Sequence, residues 1–319
     1  MSPISNLPDL SIAADHGGGL DAAMARFGGK STDWLDLSTG INPRPWPLPA
    51  FTAEDWNRLP DKAAFAAIEA AARDFWQVPE AAAVLVAPGA SSLIARIPWL
   101  LPPGKVEIPG PTYNEHARAF AAAGWQMAQG AGQVLVHPNN PDGRLWTAKD
   151  VKAPFVVIDE SFCDVTPEAS LIHLAARPGS LILKSFGKFW GLAGLRLGFA
   201  IGDPALIARL GQMIGPWAVS GPALRAGALA LQDKVWAKAT RLRLEQDAAR
   251  LDQLIGKAIG GTTLFRLYQV EDALHWQEHL AKAHVWTRRF PYDPTWLRLG
   301  LPGDEKGWAQ FEQAMKGLR

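Results

Sequence analysis

A lysine and an arginine eight residues apart, Lys188 and Arg196, sit in the stretch LILKSFGKFWGLAGLRLG, where an apolar run passes through Ser185 into a glycine-spaced turn. An apolar run of this kind reads as a buried strand, and residues at its end project into a ligand crevice. A lysine there is desolvated and stands beside the charge of Arg196, and both effects lower its pKa toward a usable neutral amine. Such an amine can form a Schiff base with a carbonyl carbon. A surface lysine on a loop is the alternative this stretch leaves open.

Asp159 ends four consecutive apolar residues, Phe155 to Ile158. A carboxylate that deep needs a cationic partner or it takes up a proton. A protonated ring nitrogen would satisfy it and be held protonated in return; a helix N-cap or an ion pair is the structural alternative. Gly89-Ala90-Ser91 opens a helix, so its N–H groups and dipole form an anion site, as many helix starts do. Ser185 and Arg196 can donate to the same anion. Tyr113 can stack on a flat ring or simply pack, and Asn140 can bond a ring hydroxyl or serve as a turn residue in NNPDG.

The elements that must position these residues alternate along the chain. AVLVAP (83–88) leads to a helix over 90–100, KVEIPG (105–110) to a helix near 113–123, and QVLVHP (133–138) to NNPDG. FVVID (155–159) leads to ESF, and LILKSF to Lys188. Uninterrupted apolar strands alternating with helices predict an α/β fold with a mostly parallel sheet covered on both faces. Ligands of such sheets bind beyond the carboxyl ends of the strands, where Gly89–Ser91, Tyr113, Asn140, Asp159 and Lys188 all fall.

Upstream, Asp61 caps an amphipathic helix over 61–77, after a short strand in LDLSTGINPRPWPLP (35–49) and a proline-rich connector. Downstream, a long helix over about 220–256 bridges to strands 263–270, HVWTRRF and TWLRLGL and to helices 271–282 and 304–318. The expected organisation is an N-terminal arm (1–35) on the small domain, a large domain (36–215), and a bridging helix with a smaller α/β domain (216–319).

The 319 residues carry a net charge of +1 without a basic tract, which points away from nucleic acid and from an anionic membrane surface. The single cysteine, Cys163, excludes an intramolecular disulfide and fits a reducing cytoplasm. MSPISNLPDL lacks the features of a signal peptide, and no apolar stretch reaches membrane-spanning length, so a cytoplasmic protein is expected.

Taken together, an amine, a buried carboxylate, an anion cradle and a stacking aromatic describe a phosphorylated, flat, cationic-ring cofactor bonded to lysine, which is pyridoxal phosphate. The motifs as a set resemble the fold-type-I pyridoxal-phosphate enzymes, the class I and II aminotransferase family, over nearly the whole chain. NNPDG resembles that family's NNPTG, IDESF its DEAY or DEAF, and SFGKFWGLAGLRLG its S-x-x-K-x(7)-R block. The resemblance implies a large domain with a mostly parallel sheet, a smaller α/β domain and a homodimer. It makes Lys188 the Schiff-base lysine and Asp159 the pyridine-nitrogen partner. Asn140 then contacts the ring hydroxyl, Tyr113 stacks, and Gly89, Ala90, Ser91, Ser185 and Arg196 hold the phosphate. Arg298 in WLRLGL matches the arginine that binds the substrate carboxylate.

Within the family the likeness is to histidinol-phosphate aminotransferases and threonine-phosphate decarboxylases. HGGG (16–19) resembles the decarboxylases' HGGN and LDLSTGINP their DFSANINP, while Phe162 stands where aminotransferases usually carry tyrosine. The implied reaction is decarboxylation of L-threonine O-3-phosphate to (R)-1-amino-2-propanol O-2-phosphate for cobalamin biosynthesis; transamination with 2-oxoglutarate is the alternative. A substrate with two anionic ends needs two cations, Arg298 and Arg288, with His16 and Gly17 assisting; a surface ion pair is the other reading of Arg288. Leu59 in RLPD departs from the usual YPD, whose tyrosine reaches the partner subunit's cofactor phosphate. The segment between Gly143 and Ile158 is short, so a covering helix is expected to be trimmed there. Two further readings are set against these: a catalytically silent binding module, which an intact Lys188 and Asp159 disfavour, and a metal site at His275, His279 and His284, which lacks the HExxH pattern.

Overall fold

The computed structural model of the protein describes residues 17–318. Its first half runs through helix α1 (Leu20–Phe27), strand β1 (Leu35–Asp36), helices α2 (Ala53–Asn57) and α3 (Lys62–Trp76), strand β2 (Ala83–Ala87), helix α4 (Ala90–Ile94), strand β3 (Lys105–Glu107) and helix α5 (Asn114–Ala122). Strands β4 (Gln126–Met127), β5 (Gly132–Val136), β6 (Phe155–Asp159), β7 (Ser180–Ser185) and β8 (Gly198–Gly202) follow.

Seven of these strands make one sheet in the order β2-β8-β7-β6-β5-β3-β4. The pairs from β4 to β7 are parallel, and β8 alone is reversed, antiparallel to both β2 and β7. Strands β5, β6 and β8 are buried at every position, as both faces must be when helices cover them. Val156, Ile158 and Ile182 pack on one face with residues of α3 and the later helix α7 (Gly221–Gln232). Phe155, Val157, Leu181 and Leu183 pack on the other with residues of α4 and α5. Side chains alternate along a strand, so Asp159 and Ser185 emerge on the α4/α5 side and Glu160 and Lys184 on the α3/α7 side. That alternation sorts the charged residues by role.

Helix α6 (Pro204–Ile214) precedes α7, and α8 (Lys234–Ile255) leads to β9 (Gly260–Thr262), β10 (Phe265–Gln269), α9 (Ala273–Lys282), β11 (Val285–Trp286), β12 (Arg288–Phe290), β13 (Asp293–Leu299) and α10 (Glu305–Ala314). A second, antiparallel sheet runs β12-β13-β10-β9, and β1 pairs in parallel with β11. Helix α1 lies over this part of the chain, burying Ala23 with Trp34 and Ala281.

The α/β fold with a mostly parallel sheet is as expected, and several details differ. The helix expected over 90–100 ends at Ile94, and a 3-10 turn takes over where Pro98 lacks an N–H. The helix expected over 220–256 is two, because Asp233 leaves the helical conformation and its side chain caps α8 by accepting from Trp236 N. Strands β4 and β8 were not anticipated. Between Gly143 and Ile158 only a 3-10 turn, Ala148–Asp150, covers the sheet, which fits the trimmed helix.

Candidate active site

Two adjoining cavities open at the carboxyl ends of the strands, an inner one of about 140 Å³ and an outer one of about 150 Å³. Tyr113, Asn140, Phe162 and Lys188 line both. Ala90, Ser91, Asp159, Ser185 and Arg196 line the inner lobe; Gly17, Arg288 and Arg298 line the outer. His16 lies outside the described residues.

Asp159 is 3% exposed. Its Oδ2 meets His116 Nε2 at 2.8 Å, and its Oδ1 accepts from Ser161 N at 3.0 Å and Ser161 Oγ at 2.5 Å. Burial alone would raise the carboxyl pKa, but bonds from His116 and Ser161 more than offset it and hold the group below the usual carboxylate range. A carboxylate kept ionised at this depth can hold a cation. His116 was missed in the sequence, although it lies three residues after Tyr113 in PTYNEH, one turn along α5; the rings meet edge to face at 6.2 Å. Tyr113 itself is neutral, its hydroxyl pushed up to about 12 by burial and by the charge of Asp159.

Just before Ala90 and Ser91 of the inner lobe, Gly89 turns with φ +82° into α4. A Cβ there would stand 2.6 Å from Arg196 Nη2, so glycine lets the guanidinium lie over the first turn of α4. Ser185 Oγ accepts from Gly187 N at 3.2 Å, which leaves its hydroxyl hydrogen to donate into the lobe. Ser91, Ser185 and Arg196 thus bring donors to the lobe that the ionised Asp159 also lines.

Lys188 stands between the lobes with Nζ 5.3 Å from the centre of the Phe162 ring. Its pKa falls to about 8, chiefly through burial, then through the charge of Arg298, with Arg196 adding less and Asp159 opposing. Arg196 was expected to be the neighbour that matters; Arg298, distant in sequence, matters more. Asn140 also has a second partner that its turn position did not reveal. Its Oδ1 accepts from Arg298 Nη1, which turns the amide Nδ2 into the donor side.

Arg298 is 5% exposed, and its Nη2 donates to Ser38 O at 2.6 Å. Its Nε is buried without a hydrogen-bond partner among the described residues. Burial and nearby Arg288 lower its pKa to about 9. In the small sheet Arg288 and Arg298 are direct cross-strand partners. Tyr292 and Thr39, neither anticipated, complete this lobe. Gly17 enters it because Gly18 N donates to Ser38 Oγ at 2.7 Å, and a Cβ on Gly17 would stand 2.4 Å from Ser38 O.

Behind β6, Lys184 Nζ pairs with Glu160 Oε2 at 2.5 Å, and Asp164 accepts from Trp76 Nε1 and Trp190 Nε1 at 2.8 and 3.0 Å. His137, Glu160 and Cys163 approach one another there in a metal-like grouping. His137 Nδ1 accepts from Trp146 N at 3.0 Å and Nε2 donates to Ala169 O at 2.7 Å, while both Glu160 oxygens are engaged. The grouping is thus a satisfied structural network rather than a set of open ligands. His279 Nε2 is likewise bonded, to Ala314 O at 3.1 Å.

A model of the family described as aminotransferase class I and II matches residues 32–311. A threonine-phosphate decarboxylase of Sinorhizobium sp is 41% identical, covering 96% of this chain and 98% of its own. Another, of Pseudomonas aeruginosa, is 36% identical with the same coverage. Among solved structures, the histidinol-phosphate aminotransferase of Sinorhizobium meliloti in complex with pyridoxal-5'-phosphate superposes with a TM-score of 0.77 at 16% identity, over the full length of both chains. The residues here fit such a cofactor by their chemistry: an ionised buried carboxylate, a set of anion donors and a lysine of lowered pKa line one lobe. No helix among the described residues is long and apolar enough to cross a membrane.

Proposed function

Since the chain belongs to the class I and II aminotransferase family, we propose that it is a pyridoxal-phosphate-dependent lyase that decarboxylates L-threonine O-3-phosphate to (R)-1-amino-2-propanol O-2-phosphate. The observation that carries this reading is the cross-strand pair Arg288–Arg298 on the wall of the lobe that Lys188 also lines. Like charges directly opposed on a sheet are destabilising, and a ligand with two anionic ends relieves the repulsion. L-Threonine O-3-phosphate carries a carboxylate and a phosphate. Near-full-length likeness to two threonine-phosphate decarboxylases supports the same substrate.

In this reading Lys188 is the amine that holds the cofactor. Asp159, kept ionised by His116 and Ser161, pairs with the pyridine nitrogen and keeps it protonated. When bound, pyridoxal phosphate supplies the sink for the electron pair released as CO2 leaves. Asn140 donates to the ring hydroxyl, Tyr113 stacks, and Ser91, Ser185 and Arg196 hold the phosphate with backbone N–H groups of the Gly89–Ala90 turn. Arg298 takes the substrate carboxylate and Arg288 the substrate phosphate, and together they set the rotation about Cα that selects the bond to be broken. Phe162 presents its ring to Lys188 Nζ. Lys188 Nζ would be the group that returns a proton to Cα.

The test is mass-spectrometric product analysis of the cofactor-loaded protein with L-threonine O-3-phosphate and no oxo-acid. Catalytic formation of 1-amino-2-propanol phosphate and CO2 is expected. Turnover only of histidinol phosphate, and only with 2-oxoglutarate, would establish the aminotransferase instead. Replacing Arg288 with Ala should raise KM for the phosphorylated substrate by about tenfold or more, the usual scale for a charge-assisted bond of 1.5–3 kcal/mol.

A further inference from the structure

The connector between β1 and α2 carries the Ile41-Asn42-Pro43 step, to which the proposed chemistry gives no task. Asn42 is 1% exposed, and both its N–H donors are directed to the lysine turn. Its backbone N donates to Lys188 O at 3.0 Å, and its Nδ2 donates to Phe189 O at 2.8 Å. Its Oδ1 accepts from Arg44 N at 3.1 Å and from Arg243 Nη2 at 2.7 Å. Arg243 belongs to α8 and is itself held by Asp247 at 2.8 Å.

A separate observation makes the same contact obligatory. Gly191, three residues after Lys188, has φ +69°, and a Cβ there would stand 2.7 Å from both Asn42 O and Pro45 Cα. Trp46 N donates to Trp190 O at 2.9 Å, so the connector runs against the lysine turn from residue 42 to residue 46. The connector thus packs directly against the backbone that carries Lys188.

We infer that Asn42 is a positioning residue for Lys188: it clamps the backbone that carries the reacting amine and, through Arg243, ties that backbone to helix α8, which leads to the strands bearing Arg288 and Arg298. The clamp thus sets the amine in register with the substrate-holding arginines. This rests on the reading of Lys188 as the reacting amine.

The experiment uses the full chain in two forms. Acetic anhydride labelling of Lys188 in the apoprotein, followed by peptide mass spectrometry across pH, reports the amine without any cofactor. Steady-state turnover of the pyridoxal-phosphate-loaded protein reports the positioning. Three variants are compared: Asn42→Asp, which keeps the Arg243 contact and removes the donor to Phe189 O; Arg243→Met, which removes the tie to α8; and Arg243→Lys. In the parent, labelling should have its midpoint near pH 8. In Asn42→Asp and Arg243→Met the midpoint should move up by about one pH unit as Nζ gains solvent. Their kcat should fall tenfold to a hundredfold with KM within about threefold, as expected for a misplacement of about 1 Å. Arg243→Lys should recover most of both losses. A midpoint and kcat equal to the parent's, with only a lower Tm, would overturn the clamp and leave Asn42 a structural residue. If Asn42→Asp fails to fold, the two Arg243 variants decide alone, since that side chain is partly exposed on α8. A parent whose Lys188 labels like an ordinary lysine would instead sink the assignment of the amine, a different failure from that of the clamp.

Discussion

Lys184 and Lys188 lie four residues apart, yet their environments drive them in opposite directions. Lys184 points into the α3/α7 side of the sheet, where burial is outweighed by Glu160 and Asp164 and its pKa rises. Lys188 has burial and two arginines against its charge, with Asp159 alone in favour. Replacing Lys188 with Ala should therefore abolish the visible Schiff-base absorbance that forms when pyridoxal phosphate is added, with little change in Tm. Replacing Lys184 with Ala strands Glu160 in the core; breaking a buried pair costs about 3–5 kcal/mol, so a large fall in denaturation midpoint is expected while any folded protein still binds cofactor. The sequence marked Lys188 through its spacing to Arg196, but strand alternation was needed to see what Lys184 does, and no spacing could bring Arg298 beside Lys188. The pH consequence has a definite sign. With a pKa of about 8 the neutral amine grows from about a tenth of the population at pH 7 to about nine-tenths at pH 9, so stopped-flow capture of pyridoxal phosphate by apoprotein should quicken about tenfold and level off. An ordinary lysine, titrating near 10.4, would quicken about a hundredfold over that range and still be rising.

At the scale of elements, what the sequence disclosed were the boundaries written in side chains. Asp61 is such a cap, accepting from Ala64 N as expected, and the structure adds Ser220 and Asp304, which cap the helices that follow them by accepting from Ala223 and Gly307 N. What it concealed were features that composition does not encode. Strand β8 is GFAIG, glycine at both ends, and exists because β2 and β7 flank it on either side. Gly198 is required there, since a Cβ would stand 2.5 Å from Ala90 N, where β8 crosses the start of α4. The NNPDG loop is similarly fixed from afar. Gly143 has φ +73°, and a Cβ on it would fall 1.9 Å from Gly261 O on β9, a contact between loop and small sheet that tertiary packing alone creates. Gly143→Ala should push that loop off β9 and loosen the Asn140–Arg298 bond. A stability loss of about 1–3 kcal/mol by denaturant titration is expected, with weaker substrate binding. Unchanged KM would mean that the loop does not depend on β9 for its position.

Large apolar side chains at the surface decide the reading at the scale of the whole molecule. Leu59, 67% exposed, and Leu229, 39% exposed, line a groove between α2, α3 and α7, and Trp56, also 67% exposed, is carried on α2. Trp217, 57% exposed, lies in the adjoining cleft that shares Pro60 and Asp61 with it. Large apolar side chains exposed around adjoining clefts fit a surface that is covered in the working protein. We propose that a second copy of the chain covers it, as the resemblance implied, with Leu59 at the position where the family's tyrosine crosses to the partner's phosphate site. Arg196 is exposed in the isolated chain, so the phosphate end of the inner lobe is the part that a partner would shield. Light scattering should then give twice 34.5 kDa. Leu59→Asp, which sets a charge in the patch, should lower that mass and weaken pyridoxal phosphate binding together, because phosphate donors opened to water hold an anion less tightly. Leu59→Tyr should keep the mass and tighten the cofactor several-fold by adding a hydroxyl donor. A 34.5 kDa species that binds the cofactor and turns over substrate would show instead that one chain closes its own site. The patch would then need another occupant, and Leu59→Tyr would leave cofactor affinity where it was.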